Sequence, residues 1–325
     1  MRAIVSQVGP LATASATAVC ASQVVPDATA LAIDGGKSSG YSATNIATTT
    51  GNGSGTTAVT LNGSKVSNGV ALLFPPQPVV LVSAGNDSTK TWTVKGLGPD
   101  NYTSVVETVA AANTSRVSTK NLFCQVLSIS LSSASAGNVS AGTNGVATLD
   151  TPRRVLLTDG GVDTGITFTI KGTDRSGIPI TETLTGTSSS TVYTAQDFLT
   201  ITQIVASGAS ASTITFGTNG VASSAYMRMD EYADPHIAIQ CNATGTVNYT
   251  VQSSLDDPND PSNATTIAGM TWVSTNDTNA VAQTASIQTN YTFAPRYIRI
   301  LLNSSTQSAG NYVVATVIQS ENVHI

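Results

Sequence analysis

Alternating polar and apolar residues recur along this chain of 325 residues. In Thr91-Trp92-Thr93-Val94, and again in Thr167-Phe168-Thr169-Ile170, the aromatic and aliphatic side chains fall on one side and the threonines on the other. A period of two is typical of a half-buried β-strand. Clusters of Gly, Asn and Asp separate such runs, as turns require, and almost no segment has helical periodicity. The pattern therefore predicts an all-β protein.

The sequence contains an internal repeat of about 75 residues that occurs twice. Residues 70–96 match residues 146–172 at an offset of 76, and after one deletion the match continues at an offset of 75. A copy of this size accommodates a small sandwich of roughly six or seven short strands. We therefore predict tandem β-sandwich modules over residues 70–145 and 146–220.

The two ends of the chain depart from the repeat. Residues 1–69 have little recognisable strand pattern, and we interpret them as an N-terminal arm or partial β domain, ordered by a partner and serving as an anchor. Residues 221–325 contain further apolar runs, which predict a separate C-terminal β-sandwich. These runs are Ile237–Ile239, Val247–Val251, Tyr297–Leu302 and Tyr312–Ile318.

Charged residues are scarce in this chain. They make up 10% of it, against roughly a quarter in ordinary soluble domains, and hydroxyl and small residues replace them. Charge normally keeps monomers soluble and sheet edges unpaired, so we expect the chain to assemble with other copies of itself. The net charge of −5 and the single adjacent basic pair, Arg153-Arg154, argue against nucleic acid as a partner. No apolar run is long enough for a spanning helix, so we expect no membrane partner.

The cysteines give no sign of a metal site or a disulfide framework. Cys20, Cys124 and Cys241 are far apart and lack the CxxC spacing of zinc ligands. We expect them to be small buried residues. The N-terminal stretch from Arg2 to Cys20 is interrupted by polar residues, so we do not expect a signal peptide.

The candidate catalytic residues do not form a recognisable set. His324 is the penultimate residue, and no GxSxG motif accompanies His236, so the sequence does not predict a Ser–His–Asp type of site. Glu107 and Glu182 suggest the carboxylate pair of a glycoside hydrolase. Because they occupy equivalent positions in the two copies, we expect each to do the same structural job instead.

Binding residues are equally sparse. The cluster Asp256-Asp257-Pro258-Asn259-Asp260 lacks the glycine and distant glutamate of a helix-loop-helix calcium site. A solvated turn and a loop-bound calcium ion both remain open, with the turn favoured. No phosphate-binding glycine motif opens a helix. We therefore predict no catalytic, cofactor-binding or metal-binding residues, no cofactor and no enzymatic activity.

Four aromatic residues are candidates for sugar binding. Trp92 is expected in the core, since it aligns with Phe168 on an alternating strand, and Trp272 cannot be placed from its neighbours. The four residues are Trp92, Trp272, Tyr291 and Tyr297.

The repeat formula resembles the β-rich modules of tailed-bacteriophage virion proteins, and the C-terminal part is similar to the sandwich that often follows them. The resemblance covers about residues 60–325. It implies Ig-like repeats in a head decoration protein, a collar or head spike, or another tail or neck component on the virion surface. The segments that carry it are Thr151–Leu157, Gly165–Asp174, Ile180–Gly186, Phe198–Ile204, Gly245–Gln252 and Ala294–Ile300.

The leading hypothesis is a non-enzymatic virion structural protein that assembles in several copies on the capsid or neck, with capsid, portal or neck proteins as partners. The alternative is a carbohydrate-binding phage fibre or bacterial surface adhesin, which would bind host-surface glycan through exposed rings around Trp272 or Tyr291. A third hypothesis, a hydrolase of cell-surface polysaccharide, requires two carboxylates in one cleft or His236 beside a nucleophile.

Overall fold

The structure is a computed structural model, and it describes residues 3–12, 15–50, 57–218, 222–230, 235–257, 265, 269–291, 293–305 and 311–321. These residues form six sheets of antiparallel strands, so the predicted all-β class is confirmed. The helical element given for the described residues is a 3-10 turn, Thr278–Ala280. The strands are β1 (Ala3–Ala12), β2 (Cys20–Gln23), β3 (Ser38–Ser39), β4 (Ser42–Thr50), β5 (Ala58–Val59), β6 (Val66–Ser67), β7 (Val70–Gln77), β8 (Val79–Ser83), β9 (Thr91–Leu97), β10 (Ser104–Ala110), β11 (Arg116–Ser118), β12 (Phe123–Leu131), β13 (Val139–Thr143), β14 (Val146–Arg153), β15 (Val155–Asp159), β16 (Thr167–Thr173), β17 (Pro179–Thr185), β18 (Thr191–Tyr193), β19 (Phe198–Ala206), β20 (Ile214–Thr218), β21 (Ala222–Ser223), β22 (Met227–Arg228), β23 (Pro235–Thr244), β24 (Val247–Ser254), β25 (Val273–Ser274), β26 (Ile287–Tyr291), β27 (Tyr297–Ser305) and β28 (Tyr312–Glu321).

The six sheets pair into three sandwiches, each with its own core. In the first module, sheet β10-β9-β12-β7-β6, with β5 beside β12, packs on sheet β11-β8-β13-β4. In the second module, sheet β17-β16-β19-β14-β3 packs on β18-β15-β20-β2. The C-terminal sandwich consists of β1-β28-β23-β26 and of β21-β27-β24-β25, with β22 beside β27.

The two modules reproduce one another strand by strand. Strands β7 to β13 correspond to β14 to β20, in the same order and at the offset of the sequence repeat. Trp92 and Phe168 are both buried in the cores, 1% and 0% exposed, as their alternating strands predict. Burying aromatic side chains of this size contributes a large share of core stability.

Steric crowding explains the glycine of the Lys-Gly pair near the end of β9 and of β16. A Cβ atom on Gly96 would collide with the carbonyl oxygen of Gln125, and one on Gly172 would collide with that of Thr200. Both positions lie where the pairing with β12 or β19 shifts register, as in a β-bulge. A bulge brings two backbones close together, and only glycine fits there.

Residues 1–69, which the sequence sets apart as an arm, supply strands to all three sandwiches. β1 pairs with β28 of the C-terminal sandwich, β2 and β3 pair with β20 and β14 of the second module, and β4 pairs with β13 of the first. The arrangement is nested, because the strands nearest the N-terminus join the part of the chain nearest the C-terminus. The segment contains two long strands, β1 with ten residues and β4 with nine, beside four strands of two to four residues.

By packing, the chain divides into two compact units. One comprises Met1–Ser15, Asp150–Arg153 and Asn219–Ile325, and the other comprises Ala16–Leu149 and Arg154–Thr218. The second of these contains both modules, except for Asp150–Arg153 at the end of β14. The predicted division at residues 69, 145 and 220 follows the sequence repeat instead.

Hydrogen bonds join the two modules inside their shared unit. Thr29 Oγ1 donates to the carbonyl oxygen of Ser118 at 3.0 Å and accepts from its N–H at 2.9 Å. Arg116 donates to Tyr41 Oη at 2.9 Å and to Gln23 Oε1 at 2.5 Å. Since both partners of the first pair are buried, these bonds satisfy groups that would otherwise be costly to desolvate.

Candidate functional site

A cleft of about 510 Å³ opens in the C-terminal sandwich, where β24 ends and β25 begins. Its apolar wall consists of Leu255, Val273 and Phe293, which are 69%, 59% and 44% exposed. A volume of this size falls within the usual range for small-ligand sites, about 300–1,000 Å³. The cleft is therefore large enough for one or two sugar rings.

Hydroxyl groups form the polar side of this cleft. Ser253 and Thr275 line it and are each 7% exposed. Tyr291 is 8% exposed, and its hydroxyl oxygen lies near the hydroxyls of Ser253 and Thr275. Burial raises the pKa of Tyr291, while the two neighbouring hydroxyls lower it. A neutral phenol of this kind can donate or accept a hydrogen bond.

Asp256 supplies the carboxylate at the rim of the cleft. Its Oδ2 accepts the backbone N–H of Thr271 at 2.5 Å, and its own N–H donates to Ser254 Oγ at 3.1 Å. These bonds fix the turn after β24. A carboxylate at this position can accept hydrogen bonds from ligand hydroxyls.

The other described carboxylate of the predicted acidic cluster is engaged elsewhere. Asp257 accepts from Arg296 at 2.6 Å and from Tyr297 Oη at 3.1 Å. Pro258, Asn259 and Asp260 lie outside the described residues. Within the described part of the chain, no group of three or more His, Cys, Asp or Glu residues is arranged to hold a metal ion.

The aromatic platform predicted around Trp272 and Tyr291 does not have the expected form. Tyr291 is buried, and its ring meets Phe293 edge to face at 5.4 Å between centroids. Trp272 is half-buried, with the Arg299 guanidinium 4.3 Å above its ring. Such a cation–π pair covers the face of the indole. Phe293, which sequence reasoning missed, is the exposed ring, and the alternating pattern that ends at β26 gave no sign of it.

Glu107 on β10 and Glu182 on β17 occupy equivalent strand positions and make the same bonds. Glu107 accepts the N–H groups of Lys120 and Asn121 at 2.6 and 2.9 Å. Glu182 accepts those of Ala195 and Gln196 at 2.6 and 3.0 Å. The two carboxylates thus cap the same turn in two modules, as their equivalent positions predict. We call each of these arrangements a glutamate cap.

A buried threonine completes each capped turn. Thr119 Oγ1 accepts the N–H of Val79 at 2.9 Å, and Thr194 Oγ1 accepts the N–H of Val155 at the same distance. Both threonines are fully buried. The repeat therefore conserves a polar bonding pattern as well as a core.

His236 and the three cysteines are not among the residues that line the cleft. His236 is exposed on β23, opposite Ser320 of β28, and His324 lies outside the described residues. All three cysteines are buried with free thiols, as predicted. Burial raises the pKa of Cys20 well above its usual value and raises that of Cys241 to about 12. No helix among the described residues has the length and hydropathy needed to cross a bilayer.

Comparison with known proteins gives little further information. No protein-family model and no curated protein matches this chain. Among solved structures, a chain from the atomic structure of Sulfolobus Turreted Icosahedral Virus is similar over 78% of this chain and 83% of its own, with 9% identity and a TM-score of 0.17. Two chains with so low a TM-score do not share an overall arrangement, so no statement on fold or function rests on this similarity.

Proposed function

We propose that this chain is a non-enzymatic structural protein of a tailed-phage virion, which assembles in several copies on the capsid or neck as a decoration protein or spike. The proposal starts from the resemblance of the repeated modules to virion proteins. It also needs a surface through which copies can associate.

An apolar patch on the first module carries this proposal. It lies on the outward face of sheet β10-β9-β12-β7-β6 and comprises Leu72, Phe74, Val106 and Leu127, which are 39%, 61%, 58% and 48% exposed. Exposed Lys95 of β9 separates Val106 from strand β12 on this face. Along β7, Leu72 and Phe74 alternate with Ala71 and Leu73, which face the core. Exposed apolar side chains grouped on one face are typical of association surfaces.

The second module shows that the patch is not required by the fold. At the positions equivalent to Leu72, Val106 and Leu127 its sheet has threonine, and the strands still pair in the same order. The second module therefore folds with hydroxyls at these three positions and with Asp150 at the position of Phe74, whereas the first module has large apolar groups at all four. The equivalent residues are Thr148, Thr181 and Thr202.

The test exchanges the patch for the residues of the other module. Light scattering on the full chain is expected to give a closed oligomer, and the variant Leu72→Thr/Val106→Thr/Leu127→Thr is expected to give monomers with unchanged circular dichroism. Binding to purified virion particles lacking the protein should fall with the same variant. A wild-type chain that is monomeric and does not bind particles would refute the proposal.

Deleting residues 1–69 is not a suitable test of anchoring. The deletion removes one strand from the C-terminal sandwich, two from the second module and three from the first, so loss of assembly would report unfolding. Substitutions on the outward face leave these pairings intact.

Glycan binding at the C-terminal cleft is a second candidate function, favoured by the exposed ring of Phe293 beside several hydroxyls and Asp256. Sugars bind proteins through ring faces and hydrogen-bonded hydroxyls. Titration of the full chain with host-surface oligosaccharides, followed by calorimetry, is expected to show binding that Phe293→Ala abolishes. Equal heats from wild type and variant would rule out this cleft.

A further inference from the structure

The two modules differ sharply at one buried turn. In the first module this turn joins β8 to β9, and the Asp87 side chain, 0% exposed, lies at its centre. Ser83 Oγ donates to Asp87 Oδ2 at 2.5 Å, and Lys90 Nζ lies 2.6 Å from Asp87 Oδ1. Lys90 also donates to the carbonyl oxygen of Ala134. Both carboxylate oxygens thus have donors, and an ammonium group balances the charge.

The backbone of the turn is the same in the second module. The N–H of Ala136 donates to Asp87 Oδ1 at 2.8 Å, and the N–H of Ala211 donates to Asp163 Oδ1 at 2.6 Å. The backbone bond from Lys90 to Asp87 also recurs, from Ile166 to Asp163, at 2.8 Å in both modules. Asp163 is therefore the structural counterpart of Asp87.

The side chains around the carboxylate are changed. Asp159 stands where the first module has Ser83, and Ile166 stands where it has Lys90. One hydroxyl donor and one cation have thus been replaced by a second carboxylate and an aliphatic group. The formal charge of the turn changes from zero to −2 when both carboxylates are ionised.

This exchange leaves one carboxylate oxygen unsatisfied. Asp159 accepts the N–H groups of Gly161 and Thr187 at 3.0 and 2.9 Å. Asp163 Oδ2 has no hydrogen-bond partner, and the Asp159 carboxyl lies within hydrogen-bonding range of Asp163. The two residues are 3% and 2% exposed. Among the described residues, neither has an ion-pair partner.

Two adjacent buried carboxylates without a counter-charge are strongly unfavourable. We propose that Asp159 and Asp163 form a cation site in the second module, with Ca²⁺ as the ligand, at the carboxylate where the first module holds the Lys90 ammonium. The site pairs a hard cation with hard oxygen donors, which Ca²⁺ prefers. It offers only two carboxylates, so we expect a dissociation constant of about 10⁻⁴–10⁻³ M, as in weak extracellular calcium modules.

The buried thiols allow a test on the full chain. Cys20 lies in the core of the second module, whereas Cys124 lies on β12 of the first. After dialysis against a chelator, the chain is labelled with a thiol reagent at pH 7.5, with and without 10 mM CaCl₂ at equal ionic strength. Labelling rates are read for each cysteine by mass spectrometry, relative to the unfolded chain.

Ca²⁺ is expected to slow Cys20 labelling about 10- to 100-fold, because a ligand suppresses opening by the factor 1 + [L]/Kd. Cys124 labelling should not change. In the variant Asp159→Ser/Ile166→Lys, which copies the first module, the effect of Ca²⁺ on Cys20 should disappear. Should this double variant not fold, Asp159→Ser alone restores a donor to Asp163 and gives the same comparison.

The reciprocal variant makes the test independent of the native site. Ser83→Asp/Lys90→Ile places the second module's residues in the first, and Cys124 labelling should then become sensitive to Ca²⁺. Isothermal titration of the wild-type chain with CaCl₂ should give one site per chain.

Two results would overturn the proposal. The first is equal slowing of Cys20 and Cys124 by Ca²⁺, which indicates general screening. The second is no response to Ca²⁺ together with slower Cys20 labelling at pH 5.5, which indicates a proton shared by the two carboxyls. Burial, and then the Asp159 carboxylate, raise the pKa of Asp163. A carboxyl whose pKa is raised on folding stabilises the folded chain when it is protonated, so a shared proton would slow opening at low pH.

Discussion

Removing one glutamate cap should destabilise one module and leave the other unchanged. Glu107→Ala deprives the Lys120 and Asn121 N–H groups of a charged acceptor, and Glu182→Ala does the same to Ala195 and Gln196. Both carboxylates are only half-buried, so water replaces part of each bond. A net contribution of about 0.5–1.5 kcal/mol per bond gives about 1–3 kcal/mol for each cap.

Thiol labelling measures this loss in each module separately. If labelling follows transient opening, 1–3 kcal/mol corresponds to about a 5- to 150-fold faster rate. Glu182→Ala should accelerate labelling of Cys20 but not of Cys124, and Glu107→Ala should do the reverse. Exposed Thr183→Ala and Thr108→Ala, on the same strands, serve as matched controls. Equal acceleration of both thiols by either variant would show that the modules open together, and no acceleration would show that the caps contribute nothing.

Three further predictions concern a bulge, a salt bridge and the free thiols. Gly172→Ala should lower the free energy of unfolding by about 1–3 kcal/mol in urea titrations, because the added Cβ collides with the carbonyl oxygen of Thr200. Gly165→Ala is the control and should be nearly neutral, because a Cβ at Gly165 meets nothing within 4 Å. Burial opposes ionisation of Asp87, but its hydrogen bonds and the charge of Lys90 outweigh burial and lower its pKa. Its stabilisation is therefore present above the unfolded-state pKa of about 3.9 and is lost as the pH falls through the folded-state pKa, so melting temperature should fall less steeply below pH 4 in Asp87→Asn. All three thiols should resist Ellman's reagent at pH 8 in the native chain and react after unfolding, and a fast-reacting thiol would contradict their burial.

The sequence predicted the all-β class and the alternating core positions because both follow from local periodicity. Trp92 and Phe168 are examples, since alternation alone places them inward. The equivalence of Glu107 and Glu182 was also readable, because a repeat aligns residues that share a role. These features depend on neighbours close in sequence or on the repeat itself.

Long-range pairing was not readable in the same way. β1 pairs with β28 about 300 residues later, and no local pattern identifies such a partner. The cleft is formed by β24, β25 and the residue Phe293, which are brought together only by the sheet. By contrast, the Asp159–Asp163 pair could have been found by comparing the modules position by position for changes in charge.

The nested order of strands has a consequence for synthesis on the ribosome. Residues 42–143 contain every strand of the first module, so it can close as soon as that stretch has emerged. The second module is completed next, by pairing with β2 and β3, which have already left the ribosomal exit tunnel. The C-terminal sandwich is completed last, when β28 pairs with β1. Folding can thus proceed outward from the middle of the chain, without any completed sandwich having to reopen. β1, the first strand to be translated, is therefore the last to pair. In a nascent-chain complex stalled before residue 312, where β28 begins, β1 should remain unpaired.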